Sequence, residues 1–328
     1  MYFSRARGIF DTLANREKPP NALAAEYFSG NSGPLLGIDN DGNFYILLPT
    51  VSRLSSPGLR LRFISVDYSL EYSATIRDQK VIGNYAGLVL SKGNEHLLNA
   101  FCRLFESMVE ALPMAPSNNQ VRSFIDEFVL LLTPRAGNLR DKVKGLFAEL
   151  SFIKSHPGDF ERWIRAWHDQ ANATKDFSDE EIYVEIKCTE GAVRKHSFSL
   201  PQVLDNDSKP TVVCSYLVQQ DPQGESVLDL VEKISSGTPD LHMRKKINSQ
   251  VISVLGQDFD EAGNFKFVVV GGEAGVWCYR ARDLPRPELD MNEIQIAISK
   301  VSFDINFEIL DTLAVTHCRV AEIKNLAN

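Results

Sequence analysis

Three short segments decide the fold of this chain: KGLFAELSFIKSH (residues 144–156), ATKDF (residues 173–177) and EIYVEIKCT (residues 181–189). In the first segment, apolar residues recur at spacings of three and four, which predicts an amphipathic helix. The other two segments have the pattern of strands, joined by a tight turn at residues 178–180. The stretch 144–187 therefore predicts one helix followed by a pair of strands.

The third segment separates charged from apolar side chains. Because successive side chains of a strand point to opposite faces, Glu185 and Lys187 share one face and Ile186 lies on the other. If Asp176 lies on the neighbouring strand, two carboxylates and one ammonium group converge. Two carboxylates and a backbone carbonyl suit Mg²⁺, which keeps several waters and takes further ligands from substrate phosphate. A lysine beside the metal activates an attacking water or stabilises charge growing on the phosphorane.

A simpler interpretation of these residues stays open. A Glu-x-Lys tripeptide on a half-exposed strand is usually only a solvated face. The short spacing to Asp176 and the carboxylate of Glu149 on the preceding helix favour the catalytic interpretation. We therefore predict a phosphodiesterase centre around this strand.

At these residues the chain resembles the PD-(D/E)XK nuclease superfamily and, more closely, a bacterial family named only for that motif. The resemblance rests on GLFAELSFI (145–153), TKDF (174–177), VEIK (184–187) and SLPQVL (199–204). One position departs from the pattern, since Lys175 stands where the name-giving PD pair has its proline. The core of the resemblance covers about 70 residues, and a looser likeness spans most of the chain.

The resemblance implies a role for each matching residue. The metal ligands would be Asp176, Glu185 and Glu149, directly or through water, together with the carbonyl of Ile186. Lys187 would orient and activate the attacking water. Gln202, on the following helix, would be an accessory catalytic residue. The implied cofactor is Mg²⁺, with Mn²⁺ as a substitute.

The expected fold class is mixed α/β (α+β), with a restriction-endonuclease-like core whose mixed sheet is flanked by helices. A β-rich N-terminal domain precedes this core, since strand patterns and a DNDG hairpin turn at residues 39–42 occupy the first third of the chain. The helical pattern of residues 94–112 is broken by PMAPSNN at 113–119. We therefore predict domains at 1–115 and 116–328, the second ending in a β-rich extension.

Composition restricts the class of protein. The chain has 328 residues, 44% of them hydrophobic, and contains no apolar run long enough to span a membrane. The N-terminal MYFSRARGIF lacks the apolar core of a secretory signal. Five scattered cysteines without a Cys-x-x-Cys pair predict free thiols in a reducing compartment. We expect a cytoplasmic location.

The formal net charge of −8 disfavours tight, independent binding to nucleic acid, because a phosphate backbone is bound through clustered Lys and Arg. Two local basic clusters are nevertheless candidate DNA contacts. They are Arg194 and Lys195, beside His196, and Arg244, Lys245 and Lys246 on a predicted helix. A solvated hairpin tip and a solvated helix face are the alternatives for the two clusters.

Trp163 and Trp167 lie four residues apart on one face of a short predicted helix. Packing beneath the sheet is the simpler expectation for this pair. Stacking on a nucleic-acid base is the alternative.

Two functional hypotheses follow. The first is a Mg²⁺-dependent endodeoxyribonuclease, with a homodimer for double-strand cleavage. For this hypothesis the resemblance implies a setting in bacterial restriction or phage defence, with ATPase or methyltransferase subunits as partners. The resemblance also suggests that the N-terminal region docks a partner or target. The second hypothesis is a non-catalytic DNA-binding or scaffold subunit, favoured by the acidic charge and by Lys175. RNA as the substrate stays open.

Overall fold

Helices and strands follow one another in the mixed order that the sequence pattern predicted. The structure is a computed structural model, and it describes residues 4–20, 22–50, 58–60, 63–110, 112–113, 116–131, 138–168, 174–203, 209–287, 301–310, 315, 317–320 and 322–323. The helices in these residues are α1 (Arg5–Ala14), α2 (Leu98–Val109), α3 (Asn118–Leu131), α4 (Leu139–Lys154), α5 (Phe160–Ala166), α6 (Leu200–Val203), α7 (Val227–Ser236), α8 (Leu241–Leu255) and α9 (Phe259–Ala262). The strands are β1 (Leu23–Tyr27), β2 (Leu35–Ile38), β3 (Phe44–Pro49), β4 (Leu59–Arg60), β5 (Ile64–Ile76), β6 (Gln79–Leu90), β7 (Phe177–Ser178), β8 (Tyr183–Glu190), β9 (Lys195–Ser199), β10 (Thr211–Ser226), β11 (Lys266–Val269), β12 (Trp277–Arg280), β13 (Ser302–Asn306) and β14 (Cys318–Arg319). Within the described part of the chain, none of the helices has the length and hydropathy needed to cross a bilayer.

The chain divides into two compact units. The first contains residues 1–136 and 244–261, and the second contains residues 137–243 and 262–328. Each unit has a sheet of its own. The domain boundary predicted after residue 115 remains a prediction.

The sheet of the first unit has the strand order β1-β2-β3-β6-β5-β4, and parallel pairing of β1 with β5 closes five of these strands into a ring. The β2–β3 hairpin turns at residues 39–42, as DNDG predicts. Asp39 accepts hydrogen bonds from the backbone and side-chain amides of Asn43 at 2.8 and 2.7 Å, and Gly42 adopts φ +89°. The β-rich character expected of this region is confirmed.

The helices of the first unit bury the apolar stripe that the sequence shows on α2. Phe101, Phe105 and Met108 are almost completely buried there. Phe101 meets Phe128 of α3 edge to face at 5.3 Å, and Phe105 meets Phe28 at 4.8 Å. These residues form a core, because aromatic side chains supply large apolar area for burial.

The sheet of the second unit is mixed, as expected, with the order β14-β12-β10-β8-β7 and β11 paired to β10. Its centre is the parallel pair β8 and β10, in which Glu185 lies opposite Val213 and Lys187 opposite Ser215. The neighbours β7 and β12 run antiparallel to that pair. Helix α4 packs against β8 and α7. The predicted α/β class with a restriction-endonuclease-like arrangement is confirmed.

An aromatic cluster fixes α4, α5 and β7 to one another. The ring of Phe152 lies 4.8 Å from Trp163 and 4.9 Å from Phe177, and Trp167 stacks on Phe177 at 6.3 Å. Both tryptophans are buried. The packing interpretation of this pair is therefore confirmed.

The C-terminal extension adds β11 to β14. Alternating apolar residues predict two strands near the end of the extension. The first, at residues 294–301, lies almost entirely outside the described residues. The other, predicted at 303–310, forms β13 only as far as Asn306. The Asn306 side chain accepts a hydrogen bond from Glu308 N at 3.0 Å and caps a 3₁₀ turn at Phe307–Ile309, so the strand ends there.

Candidate active site

Strand β8 separates its side chains as the sequence predicts. Val184 and Ile186 are buried on one face, while Glu185 and Lys187 share the other. Glu185 is only 2% exposed. A carboxylate this buried needs partners, because an uncompensated buried charge is costly.

Asp176 is one of those neighbours. It lies immediately before β7 rather than within a strand, and its Oδ2 accepts a hydrogen bond from the backbone N–H of Ile186 at 2.6 Å. Because β7 pairs with β8 antiparallel, Asp176 comes beside Glu185. The predicted convergence of these two carboxylates is found in the structure.

Lys187 and Gln202 complete a hydrogen-bonded group around Glu185. The Lys187 Nζ lies 3.0 Å from Glu185 Oε1 and donates to Gln202 Oε1 at 3.1 Å. Gln202 Nε2 donates to Glu185 Oε1 at 2.5 Å, and the backbone N–H of Ser199 donates to Gln202 Oε1 at 2.8 Å. The accessory glutamine of the sequence-based hypothesis therefore contacts both the carboxylate and the ammonium group.

Glu149 projects from α4 and is half-buried. Its Oε2 accepts a hydrogen bond from the indole Nε1–H of Trp167 at 2.7 Å. Burial first, and then the charges of Asp176 and Glu185, raise the pKa of Glu149 well above its usual value, while the Trp167 hydrogen bond opposes the rise. All three predicted carboxylates are thus close enough for their charges to interact.

Lys175 supplies a second ammonium group. It is 5% exposed, and its Nζ donates to the backbone carbonyl of Gln202 at 2.6 Å. Its charge also lowers the pKa of Asp176 and of Glu185. The residue that replaces the proline of the PD pair is therefore part of the site's charge balance.

Burial raises the pKa of both strand carboxyl groups. The pKa of Asp176 rises from 3.8 to about 6, against the hydrogen bond from Ile186 N and the charges of Lys187 and Lys175. Burial and then the charge of Asp176 raise the pKa of Glu185 to about 8. Carboxylates that oppose one another's ionisation in this way favour a bound cation.

Arg194 lies elsewhere than the sequence suggests. Its guanidinium is buried, donates to the carbonyls of Ser215 (2.8 Å) and Gly275, and lies 4.2 Å from the ring of Trp277. The prediction of a DNA contact at Arg194 is therefore wrong, because the guanidinium is buried and donates its hydrogen bonds to backbone carbonyls in the interior. Burial also lowers its pKa.

The other predicted DNA contacts are placed separately. Lys195 is exposed on β9 and forms an ion pair with Asp304 at 2.9 Å. Lys245 pairs with Glu127 at 3.1 Å, and Arg244, Lys245 and Lys246 belong to the first unit rather than to the unit that holds Glu185. Their contact with DNA stays a prediction.

A divalent metal ion needs donor atoms arranged around one point. Among the residues that the structure describes, no group of three or more His, Cys, Asp or Glu side chains is arranged to hold a metal ion. Asp176 and Glu185 are nevertheless hard oxygen donors whose raised pKa values a cation would relieve. Such a pair fits Mg²⁺, which needs only one or two carboxylates and takes its other ligands from water and substrate.

A family model described as "Putative PD-(D/E)XK family member (DUF4420)" matches residues 9–308. The chain belongs to this family. The resemblance predicted from the sequence is confirmed, and PD-(D/E)XK membership makes the chain nuclease-like. No curated protein matches the chain, and no solved structure does.

Within the PD-(D/E)XK pattern, the structure adds two residues that sequence reasoning did not assign to the site. They are Trp167, through its hydrogen bond to Glu149, and Lys175. A signal existed for the first, because a buried indole N–H usually finds an acceptor, and Glu149 lies on the adjacent helix. For Lys175 the local sequence carried no such signal.

Proposed function

We propose that this chain is a metal-dependent endodeoxyribonuclease that hydrolyses phosphodiester bonds in bacterial restriction or phage defence. The observation that carries the proposal is the hydrogen-bonded group of Glu185, Lys187 and Gln202, with Asp176 held beside it by the backbone N–H of Ile186, in a member of the PD-(D/E)XK family. If this face of the sheet had only a structural role, it would not require two buried carboxylates beside an ammonium group.

Asp176 and Glu185, with Glu149 and the carbonyl of Ile186, would hold Mg²⁺ or Mn²⁺. When bound, the metal supplies Lewis-acid activation of the phosphodiester and lowers the pKa of attacking water. Lys187 orients the attacking water and stabilises charge on the scissile phosphate, since its ammonium group is held in place by Glu185 and Gln202. Gln202 keeps the Glu185 carboxylate in one orientation.

The proposal includes partner subunits and a homodimer. The net charge of −8 favours partner subunits that add affinity for DNA, and the resemblance suggests an ATPase or a methyltransferase in that role. Lys195, Arg244, Lys245 and Lys246 would supply local contacts to the phosphate backbone. The described part of the chain holds one such site, so double-strand cleavage calls for a homodimer. A restriction function places the chain in the cytoplasm.

Cleavage of supercoiled plasmid tests the proposal. Purified protein with Mg²⁺ or Mn²⁺, alone and with any partner encoded nearby, is expected to nick or linearise the plasmid. Lys187→Ala should lose about a hundredfold or more in rate. The matched control is Lys233→Ala, which removes an exposed lysine of the same unit and should cleave normally. Cleavage that persists unchanged in Lys187→Ala would remove the mechanism.

One observation favours a second candidate, a non-catalytic DNA-binding or scaffold subunit. Lys187 and Gln202 already bind a Glu185 oxygen, and the described residues contain no group of three or more metal-ligating side chains. Calorimetry with Mn²⁺ separates the two functions. If the protein is a nuclease, the wild type should bind Mn²⁺ and Asp176→Ala should not. If it is a scaffold subunit, both the wild type and the variant should bind DNA without binding Mn²⁺.

A further inference from the structure

A cavity of about 470 Å³ in the first unit gathers positive charge in an acidic protein. The cavity is bounded by α1, the segment that follows α1, strand β1 and the tip of the β5–β6 hairpin. Its charged lining residues are Arg5, Arg16, Arg77 and Glu26. Three guanidinium groups and one carboxylate leave two net positive charges in a single concave site.

The single carboxylate positions two of the arginines. Glu26 Oε2 lies 3.1 Å from Arg16 Nη1, and Glu26 Oε1 lies 3.2 Å from Arg77 Nη2. Each guanidinium has five donors in a fixed plane, so donors are left for a ligand after these contacts. Arg5 lies 5.3 Å from the ring of Phe28, and among the described residues it has no carboxylate partner. The charge excess is therefore not neutralised within the cavity.

Arg77 adopts a left-handed backbone conformation that arginine disfavours. Residues 77 and 78 form the two-residue turn between β5 and β6, and Arg77 has φ +47°. Turns of this kind favour Asn-Gly, because both central residues need positive φ. Among the described non-glycine residues, only Arg77 and Asp78 adopt it. An arginine in this strained backbone conformation indicates that its side chain has a role.

The size and lining of the cavity indicate the class of ligand. Small-molecule sites span about 300–1,000 Å³ and combine apolar walls with a few fixed polar groups. Ile9 and Tyr27, both half-buried, supply a small apolar part of the wall beside the charged groups. Guanidinium groups bind carboxylates and phosphates alike, but two net positive charges match a phosphate monoester, which carries about −1.5 to −2 at neutral pH.

We propose that this cavity binds the phosphate monoester of a nucleotide, either as a free mononucleotide or as the 5′-terminal nucleotide of a DNA strand. The guanidinium groups of Arg5, Arg16 and Arg77 hold the phosphate, and the apolar wall contacts the sugar and base. The site belongs to the first unit and requires none of the residues of the nuclease proposal.

Fluorescence anisotropy on the full-length protein tests this site. The probe is a short oligothymidylate with a 3′-fluorescein and a 5′-phosphate, compared with the same strand carrying a 5′-hydroxyl. All titrations contain EDTA, so metal-dependent cleavage cannot affect them. Free dAMP serves as the competitor and, in a separate thermal-shift titration, as the second probe. Binding in EDTA therefore succeeds or fails independently of nuclease activity.

The 5′-phosphate is expected to increase affinity about tenfold, and Arg5→Ala and Arg77→Gly should each remove most of that gain. Arg122→Ala, which removes an exposed arginine of the same unit outside the cavity, should bind normally. The melting temperature of each variant confirms folding, and glycine suits the backbone at position 77.

The two sources of phosphate give different results. Competition by dAMP identifies a free nucleotide as a ligand, and binding of the phosphorylated strand without competition identifies a strand end. The proposal is overturned if neither probe binds. Equal affinity for the two strands, or unchanged affinity in both arginine variants, would also overturn it.

Discussion

The candidate active site and the arginine-lined cavity each gather side chains of like charge, but the carboxylates of the first are buried and the arginines of the second are exposed. In the active site, Glu185 and its neighbours are buried, and burial raises the pKa of Asp176 and Glu185. At the cavity, Arg16 and Arg77 are 40% and 71% exposed and share one carboxylate. Exposed charges interact weakly because water screens them, whereas buried like charges oppose folding. Changes at the first region should therefore alter stability and pH dependence, and changes at the second should mainly alter ligand affinity.

The largest expected effect comes from Asp176→Asn. The amide can still accept the hydrogen bond from Ile186 N, but it removes one buried charge. We expect plasmid cleavage to fall about a thousandfold, while the metal-free protein becomes more stable to denaturant at pH 8. Asp304→Asn, an exposed carboxylate of the same unit, is the matched control and should change neither quantity. Loss of stability in Asp176→Asn would contradict the charge-opposition argument.

The second expected effect is a fall in stability with rising pH. Asp176 and Glu185 have folded-state pKa values of about 6 and about 8, above their ordinary values of 3.8 and 4.5. The folded protein therefore holds protons that the unfolded chain releases between these values, so the free energy of unfolding decreases as pH rises through that range. Thermal melts in EDTA should show a lower melting temperature at pH 8 than at pH 5.

Glu185→Gln should reduce this pH dependence, since the amide does not titrate. Added Mn²⁺ should raise the melting temperature mainly at the higher pH, because metal binding requires the deprotonated carboxylates. A wild-type melting temperature that is equal at both pH values would show that these carboxyl groups titrate normally.

A smaller effect is expected from Trp167→Phe. The variant loses the hydrogen bond to Glu149, and a donor to a charged acceptor contributes about 1.5–3 kcal/mol. Because that hydrogen bond lowers the pKa of Glu149, its loss should move the acidic limb of the pH–cleavage profile to higher pH.

Trp163→Phe provides the matched control for that prediction. Trp163 is equally buried, and among the described residues its Nε1 has no hydrogen-bond partner. Its replacement should lower stability through packing alone and leave the pH profile in place. The same shift in both variants would show that Trp167 acts only by filling space.

The smallest expected effect lies at the cavity. Arg77→Gly relieves a left-handed backbone conformation, which costs an ordinary residue about 1–2 kcal/mol. We expect the melting temperature to rise by about 2 °C. Asp78→Gly should give a smaller rise, since aspartate tolerates this conformation better. A lower melting temperature in Arg77→Gly would show that the Arg77 side chain stabilises the hairpin more than its backbone strains it.

Local periodicity made part of this structure predictable. The opposite faces of Glu185 and Ile186 follow from the two-residue repeat of a strand, and α4 follows from the spacing of its apolar residues. The DNDG turn set the β2–β3 hairpin in the same way. Each of these features depends on residues close together in the chain, so the sequence alone determined them.

Tertiary structure decided the features that join distant segments. Arg194 is buried because carbonyls 21 and 81 positions away accept its hydrogen bonds, and Lys175 acts in the site because its ammonium group reaches Gln202, 27 positions later. The closure of the ring by β1 and β5 is of the same kind. Side-chain direction and burial at such positions depend on which segments pack together, and local propensity does not contain that information.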